Sequence, residues 1–207
     1  MIATPRWAGP TAVLAGGLWA AQALIWTLGP KVQAVDPPYR IIDRPLFALF
    51  WLAIVGAVLC SAAALLGLFR RGDGWGSAPW MVRASILAAW ASLAVAAVAG
   101  VAVLMAALGI TEEFGLGVLA LALNVAGLLL LIALALAGIA IPRTGILTGW
   151  PAALPAVLAV LTLLALSAIS ASSSTAVVGL IFAVAVVILS GATWALLGWT
   201  VRTRGTP

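Results

Sequence analysis

The residues of this chain with chemistry to offer are few, and most sit at the ends of apolar stretches. Four of its five acids, Asp36, Asp43, Glu112 and Glu113, fall in two links between hydrophobic runs. Links on one membrane face would bring these carboxyls together as a general acid/base pair or a site for a hard cation. Glu112 and Glu113 are then the candidate catalytic acids of a membrane-embedded enzyme working on a lipid or isoprenoid. Helix capping accounts for the same placement without chemistry. Thr111 is a natural N-cap, Glu112 and Glu113 occupy the electropositive first turn that follows it, and Asp43 can cap the helix opened by Arg44-Pro45.

A second candidate set lies within the apolar runs. Gln22 and Asn124 are the carboxamides deepest in the expected helices. Counting at 1.5 Å per residue puts Gln22 about 16 Å from the inner start of its helix and Asn124 about 14 Å from the outer start of its own. In a hydrocarbon core about 30 Å thick those depths nearly coincide. Gln22 shares a helix face with Ala15, Trp19 and Trp26, and Asn124 continues the small stripe Gly117, Ala120 and Gly127. Both are therefore expected to point into a bundle. There they either bond to neighbouring helices or line a midplane substrate site with Trp19 as a wall.

Other chemistry has no residues to support it. Cys60 is the single cysteine and there is no histidine, which removes an intrachain disulfide and the common imidazole sites for haem and zinc. No metal site or cofactor is expected, and no phosphate loop or nucleophile elbow is present. Ten basic residues scattered over short links make no continuous track for a nucleic-acid backbone, so nucleic acid is not an expected partner. No charged residue lies well inside an apolar run, whereas pumps and proton-coupled carriers usually place one there.

The elements that must position these residues follow from composition. Of 207 residues, 65% are hydrophobic and 7% charged, against roughly 25% charged in an average soluble domain. Uncharged runs cover 7–30, 45–69, 84–111, 114–142 and 144–201, each longer than the roughly 20 residues that cross a bilayer. The last, at 58 residues, is broken by the polar segment 170–175 and holds two helices. The spacing predicts an all-α, polytopic membrane bundle, a single transmembrane domain over 1–207, with helices at about 11–29, 46–69, 84–109, 115–141, 152–169 and 176–201. The fifth helix is short and opens among Pro151 and Pro155, so a re-entrant or tilted course is the alternative for it. Val32-Gln33-Ala34 after the first run imitates a signal-peptide cleavage site, but that run exceeds the usual 7 to 15 residues of such a leader, so the first helix is expected to stay.

Orientation follows from the cations. With six helices, Arg6, Arg70, Arg71, Arg83, Arg143, Arg202 and Arg204 share one side, and Lys31, Arg40 and Arg44 the other, which places both termini in the cytoplasm. Trp7, Trp75, Trp80, Trp150, Trp194 and Trp199 fall near the same inner boundary and read as an interfacial belt. Small residues recur at helical spacing in the second helix (Ala53, Gly56, Cys60, Ala64, Gly67) and the third (Ser92, Ala96, Gly100), as in close-packing seams. Cys60 is expected to be a filler in such a seam.

The expectation is a non-enzymatic component of a cell inner (plasma) membrane, either a small-solute permease or an accessory subunit. Its expected partners are the lipid bilayer and other membrane subunits or further copies of itself. The enzyme with an outer-face carboxylate is the alternative. Arginine outnumbering lysine nine to one, with abundant alanine, points to a GC-rich bacterial genome.

Overall fold

The architecture comes from a computed structural model that describes residues 7–27, 35–36, 40–41, 44–70, 79–110, 112–171 and 177–204. Six α-helices are described: α1 (Ala8–Thr27), α2 (Arg44–Phe69), α3 (Pro79–Ala107), α4 (Glu112–Thr144), α5 (Leu154–Ala171) and α6 (Val177–Arg204). Between α1 and α2, Val35–Asp36 and Arg40–Ile41 pair as two-residue antiparallel strands. Five helices are long and apolar enough to cross a bilayer, so the protein is an all-α, multi-pass membrane bundle.

Close approaches fix the chain direction. Ala8 touches Gly67, and Leu18 touches Gly56, so α1 and α2 run antiparallel. Val55 on Gly100 and Arg44 over Gly109 set α3 against α2, and Ser85 and Ser92 reach Ala133 and Ala126 to set α4 against α3. Gly9 lies on Gly198 and Gly16 on Gly191, so α6 opposes α1 and runs parallel to α4. The chain must therefore return between α4 and α6, and α5 is the return. Its 18 residues span roughly 27 Å, a little under the hydrocarbon core, and one turn of 3-10 helix at Trp150–Ala153 leads into it. Gly138 packs directly on Ala156, locking the start of α5 against the end of α4. The start of α1 and the end of α6 consequently lie at one end of the bundle.

Several boundaries differ from those expected from charge. Helix α3 opens at Pro79, where proline suits a first turn, and passes through the exposed Arg83. Helix α4 likewise runs through Pro142 to Thr144, with Pro142 leaving the Gly138 carbonyl without its usual helical donor in the last turn. Thr144 Oγ1 bonds the Ala140 and Ile141 carbonyls, and Gly145 at φ 68° turns the chain away. The end of α3 is a Schellman motif: Gly109 at φ 72° donates to Ala106 O and Ile110 donates to Met105 O.

Alanine is the commonest residue of the core, with Leu65, Leu130, Leu134 and Leu158 filling the larger gaps. The expected seams on α2 and α3 are used: Ala53, Ala64, Gly67, Ser92 and Ala96 are buried, and Cys60 is half-buried against the core. Exposed Arg70, Arg83, Arg143 and Arg202 gather at the end that holds the start of α1 and the end of α6, together with exposed Trp7, Trp80, Trp150 and Trp199. Trp194 departs from the expected belt. At 1% exposure it is one of the largest fully buried side chains, because its face of α6 turns inward beside Leu197 and Val201. Trp75 lies outside the described residues.

Candidate functional site

The interior polar groups divide between two seams. In the α3–α4 seam, Ser85 and Ser92 are fully buried and donate to the Ala133 and Ala126 carbonyls of the facing helix, each at 2.8 Å. A backbone carbonyl has a second lone pair, so it can accept such a bond without losing its helical one. These hydroxyls are satisfied structural links.

The seam of α1 with α2 and α6 is different. Glycines allow α1 and α6 to touch backbone to backbone: a Cβ on Gly191 would lie 2.7 Å from the Gly16 carbonyl oxygen, and one on Gly9 2.9 Å from that of Gly198. On the neighbouring face of α1, the Trp19 indole N–H donates to Ser61 Oγ of α2 at 3.3 Å. One turn on is Gln22, 2% exposed, and another turn brings Ile25 against Phe50 of α2 and Ala183 of α6. Gln22 Oε1 is buried and accepts no hydrogen bond among the described residues.

The interior around α1 offers few donors. Mid-helix amides are committed to their own ladders, and each α6 hydroxyl bonds back to its own helix: Ser190 to Val186, Thr193 to Leu189 and Thr200 to Leu197. A hydroxyl has one proton, so these three offer none to Gln22. Leaving a buried amide oxygen unmatched costs about 1 to 3 kcal/mol, and only a hydrogen-bond donor removes that cost. The cations whose side chains are described, Arg44, Arg70, Arg83, Arg143 and Arg202, are all exposed, so Gln22 is a neutral, amide-type acceptor with none of them buried beside it.

Asn124 does not join Gln22. Its side chain is exposed on the outside of α4, where Nδ2 donates to Ala120 O at 2.8 Å. The buried stripe of α4 is Leu119, Ala122, Ala126, Leu130 and Ala133, and Asn124 lies off it, as do exposed Gly117 and Ala120. The shared depth fails as well. Helices α1 and α4 each begin three residues before the expected start, which moves both carboxamides farther along their helices. Counting through the contacts of Leu18 with Gly56, Val55 with Gly100 and Ser92 with Ala126, Asn124 lies roughly 13 Å nearer the arginine-rich end than Gln22. The structure does not bring the two carboxamides together. Gln22 and Trp19 do lie on one face of α1, with Trp19 held by Ser61.

Glu112 and Glu113 open α4, the position where the helix dipole favours acids, and their side chains lie outside the described residues. Arg44 brings a cation to the same end, its guanidinium lying over Gly109 in the α3–α4 link. Asp36 lies in the two-stranded pairing, and Asp43 is outside the described residues. Among the described residues no three His, Cys, Asp or Glu side chains gather as a metal site. The α1–α6 contact was missed from sequence, although Gly9 with Gly16 and Gly191 with Gly198 repeat one seven-residue spacing in two helices.

Fold and site together define a class: a multi-pass α-helical membrane protein with an all but neutral interior. Comparison goes no further, since no protein-family model, curated protein or solved structure matches the chain.

Proposed function

We propose that this protein is a non-catalytic component of a bacterial inner membrane that acts by lateral association, as an accessory subunit of a larger membrane assembly. The observation that supports this is Asn124, a carboxamide on the outward face of α4. Facing hydrocarbon, its remaining N–H and its oxygen have no donor or acceptor to meet, and a helix from another chain supplies both. Seven arginines on one side against three cations on the other support cytoplasmic termini, so a cysteine at Thr203 should resist impermeant thiol reagents in intact cells.

The test is particle mass after extraction into native nanodiscs, which keep the surrounding lipid. The expected particle holds more protein than one 21.0 kDa chain, and Asn124→Leu reduces it towards one chain. A wild-type particle of one chain would overturn the proposal.

A second reading, a small-solute permease, is favoured by the unmatched Oε1 of Gln22. A carrier holds its substrate inside the bundle, and this acceptor suits a neutral or cationic solute that donates hydrogen bonds.

A further inference from the structure

The outward face of α4 also indicates what covers it. Its exposed stripe comprises Gly117, Leu121, Asn124, Leu128 and Ile132, spaced four, three, four and four residues apart, close to the helical period, so the stripe keeps to one side of α4 with the slight drift of a right-handed helix pair. Among the described residues nothing lies within 4 Å of the position a Cβ on Gly117 would take, which leaves room for a second backbone to approach there. Asn124 is the polar member of the stripe. It lies four residues, about 6 Å, from the midpoint of α4, a depth where water is absent.

We propose that the occupant is a second copy of this chain, packed by its own α4 in a parallel two-fold dimer with Asn124 against Asn124. This rests on the association reading above and names the partner. The argument is self-complementarity. A carboxamide carries both donor and acceptor, and the bond to Ala120 uses one of its two N–H groups. Across a two-fold axis the second N–H of each Asn124 meets the Oδ1 of the other, so one residue type satisfies both partners. Two copies inserted with the same orientation hold Asn124 at the same depth. A different protein would need its own polar residue at that level. A lone asparagine in an apolar seam also fixes register, because any slip separates the pair.

The experiment is oxidative cross-linking in native membranes, with Cys60→Ala removing the one native thiol. Single cysteines replace Leu121 or Leu128 on the stripe, or Leu87, which is exposed on α3. Leu121→Cys and Leu128→Cys should give a product of twice the chain mass, and Leu87→Cys should not. Adding Asn124→Leu should lower that yield about tenfold, the change that corresponds to roughly 1.4 kcal/mol, and Asn124→Gln should retain most of it. These substitutions lie on the outer surface, and helicity of each variant is read by circular dichroism on the same sample. Equal yields from all three cysteines, or no effect of Asn124→Leu, would overturn the two-fold α4 dimer. A product of a different mass would sink the second copy and leave association standing. No product from any stripe position, with a native nanodisc particle of one chain, would sink both.

Discussion

The α3–α4 pair and the α1–α6 pair are both close antiparallel contacts made by small residues, yet they treat polarity in opposite ways. Between α3 and α4 the polar groups are serines, and each reaches across to a carbonyl of the facing helix. Between α1 and α6 the contact is glycine on glycine, the α6 hydroxyls turn back on their own helix, and Gln22 is left unmatched. A hydroxyl can always find a carbonyl, because every helix surface offers acceptors. An amide oxygen needs a donor, and a helix interior has none to spare. The hydroxyl therefore behaves as a structural link, whereas the carboxamide is an unfilled valence, inside the bundle at Gln22 and outside it at Asn124.

The largest effect that would break this comparison is at the glycine contact. Gly191→Val should destabilise the fold by about 3 kcal/mol, because its Cβ meets backbone that cannot move aside, while Gly117→Ala should stay within about 0.5 kcal/mol. Reversible unfolding in mixed micelles measures both, and similar values for the two would refute the close α1–α6 approach.

Gln22→Leu comes next and has the opposite sign. Removing an unmatched acceptor should stabilise the fold by about 1 to 2 kcal/mol in the same assay. A loss of stability would mean that Gln22 has a partner. A stabilised variant that fails to support solute uptake would favour the permease reading.

Ser92→Ala should cost about 0.6 to 1.7 kcal/mol, since a real interhelical bond is lost but the Ala126 carbonyl keeps its helical partner. Ser85→Ala should match it within that range.

The smallest effect belongs to the outer acids. Glu112→Gln or Glu113→Gln should change stability by only about 0.3 to 1 kcal/mol if these residues serve the first turn of α4. Abolished function in a folded Glu113→Gln protein would instead support a membrane enzyme with an outer carboxylate acid.

The helices were legible in the sequence because lipid excludes charge, and the runs between charges gave their number and order. Their ends were less legible. Arg83 and Pro142 both lie inside helices: a long side chain can reach the headgroups from within a span, and a proline near a terminus is tolerated. Which face turns inward was the least legible property. In water a buried face is apolar and an exposed one polar, but in lipid both are apolar and the pattern loses its sign. Trp194, expected at the interface, is in the core, and Asn124, expected in the core, is on the surface. Gln22 was placed correctly as buried on the face of α1 that carries Trp19, but its missing partner depended on which side chains the neighbouring helices turn towards it, which spacing alone does not determine.

The central claim is that Asn124 on the α4 surface drives association while Gln22 does not, and self-association in liposomes tests it most directly. Donor- and acceptor-labelled copies, tagged at Thr203→Cys in the Cys60→Ala background, are diluted with lipid while energy transfer is followed. Wild type and Gln22→Leu should give the same association curve, and Asn124→Leu should need roughly tenfold higher protein density to reach half association. Superimposable curves for wild type and Asn124→Leu would contradict the account.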